Sequence, residues 1–174
     1  MNKIKICVAG LGNVGSNVIK LIEENNNFFS NKNEVILEII GISAKSKNKK
    51  RIFNMQKYNW HENPLDLIKD SNCQILIELI GHEKGTSYDL IKAALMKKIH
   101  VVTANKALLA KYGNELFAIA EKNNVSLMYE AAVAAGIPII KTIKNSLSFD
   151  KVISVSGILN GTTNFILSEM YKKN

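Results

Sequence analysis

A glycine-rich segment near the start of the sequence, GLGNVG at residues 10–15, has the spacing G-x-G-x-x-G. Backbone N–H groups at the start of a helix bind phosphate oxygens when the preceding turn leaves them accessible. In such a turn Gly10 permits the tight bend, Gly12 lets a diphosphate approach the backbone, and Gly15 lets the helix pack closely on the preceding strand. The spacing alone does not distinguish this site from a strand–helix turn without a ligand.

A lysine follows a predicted strand in the segment TANKALLA. Ligands of open α/β sheets bind beyond the carboxyl ends of the strands, which would place Thr103, Asn105 and Lys106 at the rim of a cleft. An ammonium group there can hydrogen-bond a substrate oxygen and favour the negative charge that builds on it during hydride transfer. The alternative interpretation is a solvent-facing lysine in the first turn of a helix.

Two further segments combine polar groups with small residues. In YEAAVAAGIPII, Glu130 precedes a run of small residues, and carbonyls exposed where a strand changes into a helix can coordinate a hard monovalent cation. Glu130 can equally cap the following helix. In GILNGTTNFIL, Gly161 allows a tight turn, and the polar side chains beside it can cap the next helix or bind a polar ligand; these are Asn160, Thr162 and Thr163.

The cysteines and histidines form no predicted metal site. Cys7 and Cys73 each lie in a strand-like run, so we expect both to be small core residues. His61, His82 and His100 form no H-x-x-x-H pair and lie near no paired cysteine or carboxylate cluster. We expect all three histidines to be structural.

The end of the second predicted strand is basic, whereas dinucleotide sites usually have an acidic residue there to bind the adenosine ribose. The sequence reads GISAKSKNKKR, with Ser43 near the expected position and Lys45 two residues later. Serine and lysines suit a 2′-phosphate, so the pattern favours NADP over NAD. The alternative is a solvated run of charges.

These segments are positioned by alternating strand and helix patterns. The predicted strands are mostly apolar throughout, as expected when a sheet is covered on both faces. They lie at residues 3–10, 35–43, 74–81, 100–105 and 126–132. Amphipathic helical patterns separate them, whereas the Asn-rich residues 24–34 are predicted to be a connection. The alternation predicts an α/β fold with a doubly wound, Rossmann-type parallel sheet.

The pattern changes after SFDK at residues 148–151. The following segment, VISVSGILNGTTNFILSEM, is typical of a strand, a glycine turn and the opening of another helix. We therefore predict a dinucleotide-binding domain over residues 1–147 and the beginning of an α+β domain over residues 148–174. A strand without its sheet would expose an apolar edge, so we expect association.

The composition indicates a globular protein. Of its 174 residues 47% are hydrophobic and 22% charged, and no apolar run approaches the roughly 18 residues of a membrane helix. The start of the chain does not resemble a secretory signal, so we expect a cytoplasmic protein without a membrane partner. The net charge of +8 raises nucleic-acid binding as a possibility, but the basic run at residues 45–51 lacks stacking aromatic neighbours. We expect no nucleic-acid partner.

Taken in order, five motifs resemble the homoserine dehydrogenase family. They are GLGNVG, ELIG, TANKALLA, YEAAVAAGIPIIKTI and GILNGTTNFIL, and they extend from residue 6 to about residue 170. The glycine motif is common to many enzymes, whereas the last three segments in this order are highly specific. The resemblance implies NAD(P)-dependent interconversion of L-homoserine and L-aspartate 4-semialdehyde, in the biosynthesis of threonine, methionine and isoleucine.

The resemblance also implies roles for individual residues. Dinucleotide contacts would be made by Gly10, Gly12, Asn13, Val14 and Gly15. The nicotinamide and the substrate would lie beside Thr103 and Lys106, with Lys106 as the catalytic lysine. A monovalent cation, usually sodium, would be bound by the carbonyls of Glu130, Val133, Ala135 and Ile137. The substrate pocket would be lined in part by Gly161 and Thr162.

This sequence departs from the family pattern at two positions and in length. The family often has a further glycine where this sequence has His82 after ELIG and Ala135 before its IP pair. Alanine still presents a carbonyl, which keeps the cation site possible. Family members continue into a catalytic domain with a tyrosine–glutamate pair, two aspartates and a second lysine. We therefore expect this chain to bind cofactor with little activity alone, and the complete enzyme to be a homodimer.

A noncatalytic module that senses NADP(H) is the alternative function. It would explain a missing catalytic half, but not the retention of Lys106 and of GILNGTTNF. A sensor should ignore homoserine, whereas a remnant active site should respond to it when cofactor is present.

Overall fold

Six parallel strands form one sheet in the computed structural model, which describes residues 2–69, 72–157 and 161–173. The strands are β1 (Asn2–Ala9), β2 (Val35–Ser43), β3 (Asn59–His61), β4 (Ile75–Glu78), β5 (His100–Thr103) and β6 (Leu127–Met128). Their order across the sheet is β3-β2-β1-β4-β5-β6, and every neighbouring pair is parallel. The order reverses between β1 and β4, which creates a crevice at the carboxyl ends of these two strands. The predicted Rossmann-type fold is confirmed.

Three long helices connect the strands: α1 (Asn13–Asn33), α2 (Thr86–Met96) and α3 (Lys106–Lys122). The prediction of a connection at residues 24–34 was wrong, because α1 continues through most of this segment. The Asn26 side chain exchanges two hydrogen bonds with the backbone of Leu37 in β2, at 2.9 and 3.0 Å. The helix ends only at Glu34, whose left-handed backbone places its N–H on the carbonyl of Ser30. Tertiary hydrogen bonds thus outweigh the weak helix propensity of asparagine.

The short strand β3 lies where the sequence indicated a polar loop around His61. It pairs with residues 41–43 of β2 and forms an edge of the sheet. The segment before it is tied to α1, because Lys57 and Tyr58 both hydrogen-bond the Glu23 carboxylate, at 2.8 and 2.7 Å. The Lys57 hydrogen bond holds the pKa of Glu23 below its usual value. A three-residue edge strand with little apolar alternation gives no sequence signal that would distinguish it from a loop.

Apolar side chains pack on both faces of the sheet. Along β1, Ile6 and Val8 contact the cluster beside α1, whereas Cys7 and Ala9 contact the cluster beside α2 and α3. Cys7 and Cys73 are both buried, as predicted. Full burial of a large aliphatic side chain such as Ile19 stabilises the fold by about 1.5–3 kcal/mol. The sheet covered on both faces therefore gives the carboxyl ends of β1 and β4 a rigid support.

The chain divides into two units, Met1–Tyr129 and Glu130–Asn174. The second unit contains α4 (Glu130–Val133), α5 (Ile139–Lys141), a π-helical turn (Thr142–Ser146) and α6 (Gly161–Lys173). The predicted fifth strand is shorter than expected, because helix α4 begins at Glu130. Residues 151–157 were expected to form a strand, but they pair with no other strand in the described part of the chain. The predicted domain boundary after residue 147 stays a prediction.

No helix among the described residues combines the length and the apolar character needed to cross a membrane.

Candidate functional site

The turn between β1 and α1 requires two of its three glycines. Gly10 has φ +98°, and a Cβ there would overlap the backbone of Leu79. A Cβ on Gly15 would overlap the carbonyl of Gly10. The turn is fixed to its neighbouring strands, since Gly10 N donates to Ser43 O at 2.8 Å and Leu79 N donates to Ala9 O at 2.7 Å. These contacts give the first and third motif glycines the packing roles that their spacing predicts.

Gly12 has a different role, because its surroundings are open. Beyond its two chain neighbours, no atom of the described structure lies within 4 Å of the position that a Cβ would take, and its φ of −72° is accessible to any residue. Gly12 is the N-cap of α1 and provides no side chain to bind the first N–H groups of that helix. Asn13 and Val14 follow it and are exposed. The start of α1 therefore presents backbone donors, with no carboxylate in its first turn, to open space.

A cleft of about 800 Å³ lies beside this turn. Its wall includes Gly10 and Gly12, the apolar side chains Leu79 and Ile80, and His82 and Thr86 beyond β4. The rest of the wall comes from the segment after β2 and from the β3 region, and contains Lys45, Ser46, Lys49, Arg51, Glu62 and Pro64. This volume is typical of small-molecule sites. Three cationic side chains against one carboxylate give the wall a net positive charge.

Arg51 holds the basic loop, residues 45–51 after β2, in place through hydrogen bonds to the backbone of that loop. Its guanidinium donates to the carbonyls of Ser46 and Lys49, the latter at 2.9 Å, and to that of Lys47 at 3.3 Å. It also lies 5.6 Å from the centre of the Trp60 ring, a distance compatible with a cation–π contact. Burial lowers the pKa of Arg51. Arg51 thus organises the loop, while Lys45 and Lys49 keep their ammonium groups available at the cleft.

Ser43, predicted near a 2′-phosphate, is fully buried at the end of β2. Its hydroxyl has no hydrogen-bond partner among the described residues, and its carbonyl accepts from Gly10. Ser43 does not line the cleft described above, whereas Lys45 does. Ser43 and Lys45, which were predicted to act together, therefore have different positions. Ser43 is buried beneath the β1–α1 turn, whereas Lys45 lines the cleft.

A smaller depression of about 140 Å³ shares Leu79 and Ile80 with this cleft. Its lining residues are Val14, Leu79, Ile80, Gly81, Ala104 and Asn105. Lys106 follows Asn105 directly, is exposed, and is the first residue of α3. The exposed Lys106 and the glycine turn thus both lie at the carboxyl ends of the strands, as the strand pattern predicts.

Glu78 is a buried carboxylate that sequence reasoning missed. Its Oε1 accepts from the N–H groups of Ile80 and Gly81 at 2.9 and 3.3 Å, and its Oε2 accepts from the Thr103 hydroxyl at 2.6 Å. Both Glu78 and Thr103 have no exposed surface. A glutamate within the apolar run ILIELI was the available signal, because a charged residue in a fully covered strand needs a specific set of partners.

Asn105 extends this network to helix α3. Its N–H donates to the Thr103 hydroxyl at 3.0 Å, and its Oδ1 accepts from Leu108 N at 3.1 Å as the cap of α3. Its Nδ2 donates to the carbonyl of His82 at 2.7 Å. Thr103 was predicted to lie beside a nicotinamide ring, and its hydroxyl is occupied by these internal bonds. Thr103 and Asn105 position the two loops that follow β4 and β5.

In the second unit, the Glu130 carboxylate caps a helix. Its oxygens accept from Ile140 N at 2.9 Å and from Lys141 N at 3.3 Å, which is the structural alternative anticipated for this residue. The other predicted cation ligands, Val133, Ala135 and Ile137, lie in or just after α4, around Gly136 with φ +85°. The Ile137 carbonyl accepts from Ile139 N at 2.8 Å. A cation here would depend on backbone carbonyls rather than on the carboxylate.

Gly161 and Thr162 begin α6 and are exposed. Asn160, predicted as a cap or ligand, lies outside the described residues. The surroundings of Gly161 are open, since apart from its chain neighbours and its own helix no atom of the described structure lies within 4 Å of a Cβ built on it.

A family described as "Homoserine dehydrogenase, NAD binding domain" matches residues 10–130, more than half of the chain. The chain belongs to the homoserine dehydrogenase family. A second description, "Homoserine dehydrogenase", matches residues 138–174. The predicted family is therefore confirmed. The first matched segment, residues 10–130, contains the glycine turn, the basic loop and Lys106.

Similar proteins extend well beyond this chain. The homoserine dehydrogenase of Bacillus subtilis (strain 168) is 40% identical over 173 residues, which are 99% of this chain and 40% of that protein. The crystal structure of a homoserine dehydrogenase from Thiobacillus denitrificans matches with a TM-score of 0.85 and 36% identity, over 99% of this chain and 40% of that one. The chain thus spans about 40% of the length of the curated relatives it matches.

A hyperthermophilic archaeal homoserine dehydrogenase in complex with NADPH matches with a TM-score of 0.65 and 26% identity, over 84% of this chain and 50% of that one. The NADPH belongs to the archaeal enzyme. For this chain, the matches establish homology to these oxidoreductases and an NAD(P)-binding domain.

Proposed function

We propose that this chain binds NADP(H) at the start of α1 and is the nucleotide-binding part of a homoserine dehydrogenase. The observation that carries the proposal is the contrast among the three motif glycines. Gly10 and Gly15 are required by packing, whereas no protein contact requires Gly12 to lack a side chain, and a ligand bound over it would. The diphosphate would lie over Gly12 and accept hydrogen bonds from the backbone of Asn13, Val14 and Gly15.

The basic wall supports a preference for NADP over NAD. Lys45 and Lys49 line the cleft on a loop that Arg51 holds in place, and ammonium groups suit the 2′-phosphate that distinguishes the two cofactors. Ser43 would act indirectly, because its carbonyl accepts the hydrogen bond of Gly10 N–H and so fixes the turn on which the diphosphate lies.

The reaction proposed is the interconversion of L-homoserine and L-aspartate 4-semialdehyde in the biosynthesis of threonine, methionine and isoleucine. The nicotinamide ring, when bound, supplies or accepts the hydride. Lys106 would donate a hydrogen bond to the reacting oxygen of the substrate and stabilise the charge that develops on it. Thr103 would fix the β5–α3 connection through Glu78, and so the position of Lys106. Gly161 and Thr162 would contact the substrate.

The remaining parts of the proposal concern partners. The complete enzyme would be a homodimer, which analytical ultracentrifugation of the full-length protein tests. A monovalent cation, in practice sodium, would be held by the carbonyls of Glu130, Val133, Ala135 and Ile137. Calorimetric titration of the sodium-free chain with sodium chloride, with choline chloride as the reference, tests the cation site.

The variant Gly12→Ala tests the cofactor site directly. The added methyl group meets open space in the free protein, so the free energy of unfolding should change by less than about 1 kcal/mol. The same methyl group would occupy the space of the diphosphate, so affinity for NADPH should fall at least about tenfold, equivalent to about 1.4 kcal/mol. Titration of NADPH fluorescence measures the affinity, and urea denaturation measures the stability.

Gly157→Ala is the matched control, because Gly157 is also surrounded by open space and is not among the residues that line the cleft. It should leave NADPH binding unchanged. Wild-type NADPH affinity in Gly12→Ala would contradict the proposed site.

Homoserine added in the presence of cofactor should change the binding signal if a remnant active site exists, whereas a noncatalytic sensor would not respond.

A further inference from the structure

His82 lies on the wall of the nucleotide cleft, together with Gly10, Gly12 and the basic loop. It follows β4 at the point where the strand order reverses, and its side chain is exposed. The sequence alone indicated a structural histidine. The cleft wall already contains hydrogen-bond donors from the basic loop and the start of α1, and the imidazole adds a ring N–H donor beside them.

The backbone of His82 has φ +74°, a conformation that L-residues with a side chain rarely adopt. Three other described residues share this property without being glycine: Glu34, Lys98 and Asn124. Each of those three follows the end of a long helix, where a left-handed residue is the ordinary way to terminate the helix. Among these four residues, His82 alone follows a strand, so helix termination does not account for its conformation.

Several hydrogen bonds hold the His82 turn in this shape. Asn105 Nδ2 donates to the His82 carbonyl at 2.7 Å, and the preceding Gly81 accepts from the Ser87 hydroxyl and donates to Glu78. Asn105 and Ser87 are both buried, and Glu78 is fully so. Costly backbone conformations that the surrounding structure fixes in this way cluster at binding sites.

A glycine would adopt the same backbone at lower cost, so the turn itself does not explain the imidazole. We infer that the His82 side chain binds the dinucleotide, donating a hydrogen bond from its imidazole to a phosphate or ribose oxygen of the adenosine half. The inference rests on the proposed nucleotide site. The adenosine half is assigned because His82 lines the larger cleft with Lys45 and Lys49, and not the depression beside Asn105 and Lys106.

The variant His82→Gly separates binding from folding, because the two should respond differently. Glycine relieves the left-handed backbone, so the melting temperature of the 174-residue chain should stay unchanged or rise by about 2–4 °C. The affinity for NADPH should fall about tenfold through loss of the hydrogen bond to a charged ligand. Adenosine 2′,5′-bisphosphate should lose affinity by a similar factor, since it contains the adenosine half alone. Calorimetric titration measures both ligands.

Lys98→Gly is the matched control. It also replaces a left-handed residue by glycine, and it removes a positive charge. Lys98, however, precedes β5 at the amino ends of the strands, whereas the cleft lies at their carboxyl ends. Its NADPH affinity should remain that of the wild type.

His82→Asn provides a second variant, because asparagine tolerates the left-handed region while its shorter side chain should weaken binding at least about threefold.

Wild-type affinity for NADPH in folded His82→Gly and His82→Asn, with a wild-type chain that binds, would overturn this inference and leave the proposed function standing. Failure of the wild-type chain to bind NADPH would overturn both. A loss for NADPH without a loss for the bisphosphate would overturn the assignment to the adenosine half.

Discussion

At the scale of single residues, the site depends on Glu78, which has no exposed surface and accepts hydrogen bonds from three donors. A buried carboxylate is unfavourable unless its oxygens are satisfied. Here the donors are two backbone N–H groups in the loop after β4 and the hydroxyl of Thr103, the last residue of β5. A single side chain therefore links this loop to the end of β5, and Asn105 passes that constraint to the start of α3.

Substitution of Glu78 should reveal this role in stability. Glu78→Gln keeps one carbonyl acceptor and should lower the free energy of unfolding by about 1–2 kcal/mol. Glu78→Ala leaves two backbone N–H groups and a hydroxyl without their partner and should lower it by about 3 kcal/mol or more. Urea denaturation measures both.

Glu83→Gln is the corresponding control, since Glu83 is exposed and pairs with Lys111 at the surface. Its effect should stay within about 0.5 kcal/mol. Equal stability of Glu78→Ala and the wild type would show that the buried network does not hold the loops.

At the scale of elements, the segment after β2 combines order with positive charge. Arg51 donates to three carbonyls of its own loop, an arrangement that the planar guanidinium permits and that a lysine ammonium cannot reproduce with the same geometry. Lys45 and Lys49 belong to the cleft wall, whereas Lys50 does not line it. Order and charge in this loop can therefore be varied separately.

Arg51→Lys keeps the net charge but removes most of the hydrogen bonds that fix the loop. We expect affinity for NADPH to fall about three- to tenfold, with a smaller change for NADH, because the lysines that would face the 2′-phosphate lose their fixed positions. Titration of the two reduced cofactors with the same preparation gives the ratio.

Lys50→Ala is the converse control: it removes a charge and leaves the Arg51 hydrogen bonds in place. Its NADPH affinity should change less than twofold at physiological salt. If Lys50→Ala weakened NADPH binding and Arg51→Lys did not, the overall positive charge rather than the ordered loop would determine the preference.

At the scale of the whole molecule, the chain contains the nucleotide-binding unit and a short second unit whose helix α6 exposes apolar side chains such as Phe165, Ile166 and Met170. The relatives it matches are about two and a half times as long. The residues proposed here for cofactor binding and for Lys106 chemistry all belong to the first unit.

We expect the purified 174-residue chain to bind NADPH but to oxidise homoserine very slowly or not at all. The physical reason is that one lysine can stabilise charge on the reacting oxygen, whereas turnover also requires groups that bind the substrate and transfer its proton. Production of NADPH from NADP and homoserine, followed by absorbance, measures turnover. NADPH binding by the same sample provides the control for folding, and turnover typical of a full-length enzyme would contradict the expectation.

The sequence by itself determined the strand–helix alternation and the positions of the glycine turn and of Lys106. These features are local: apolar strands, amphipathic helices and glycine spacing each follow from the chemistry of neighbouring residues. The family motifs had the same local character. The parallel sheet followed because alternating strands and helices have few ways to bury both faces, although its sixth strand, the short β3, had no sequence signal.

Only the tertiary structure decided which side chains line the candidate site and which are buried beneath it. Ser43 and Thr103 stand at the predicted strand ends, but both are buried, while His82 lines the cleft in a backbone conformation that no local pattern requires. Likewise, α1 continues through an asparagine-rich segment because Asn26 bonds to a strand eleven residues away. Such outcomes depend on hydrogen bonds and burial between distant segments, and those contacts exist only once the chain has folded.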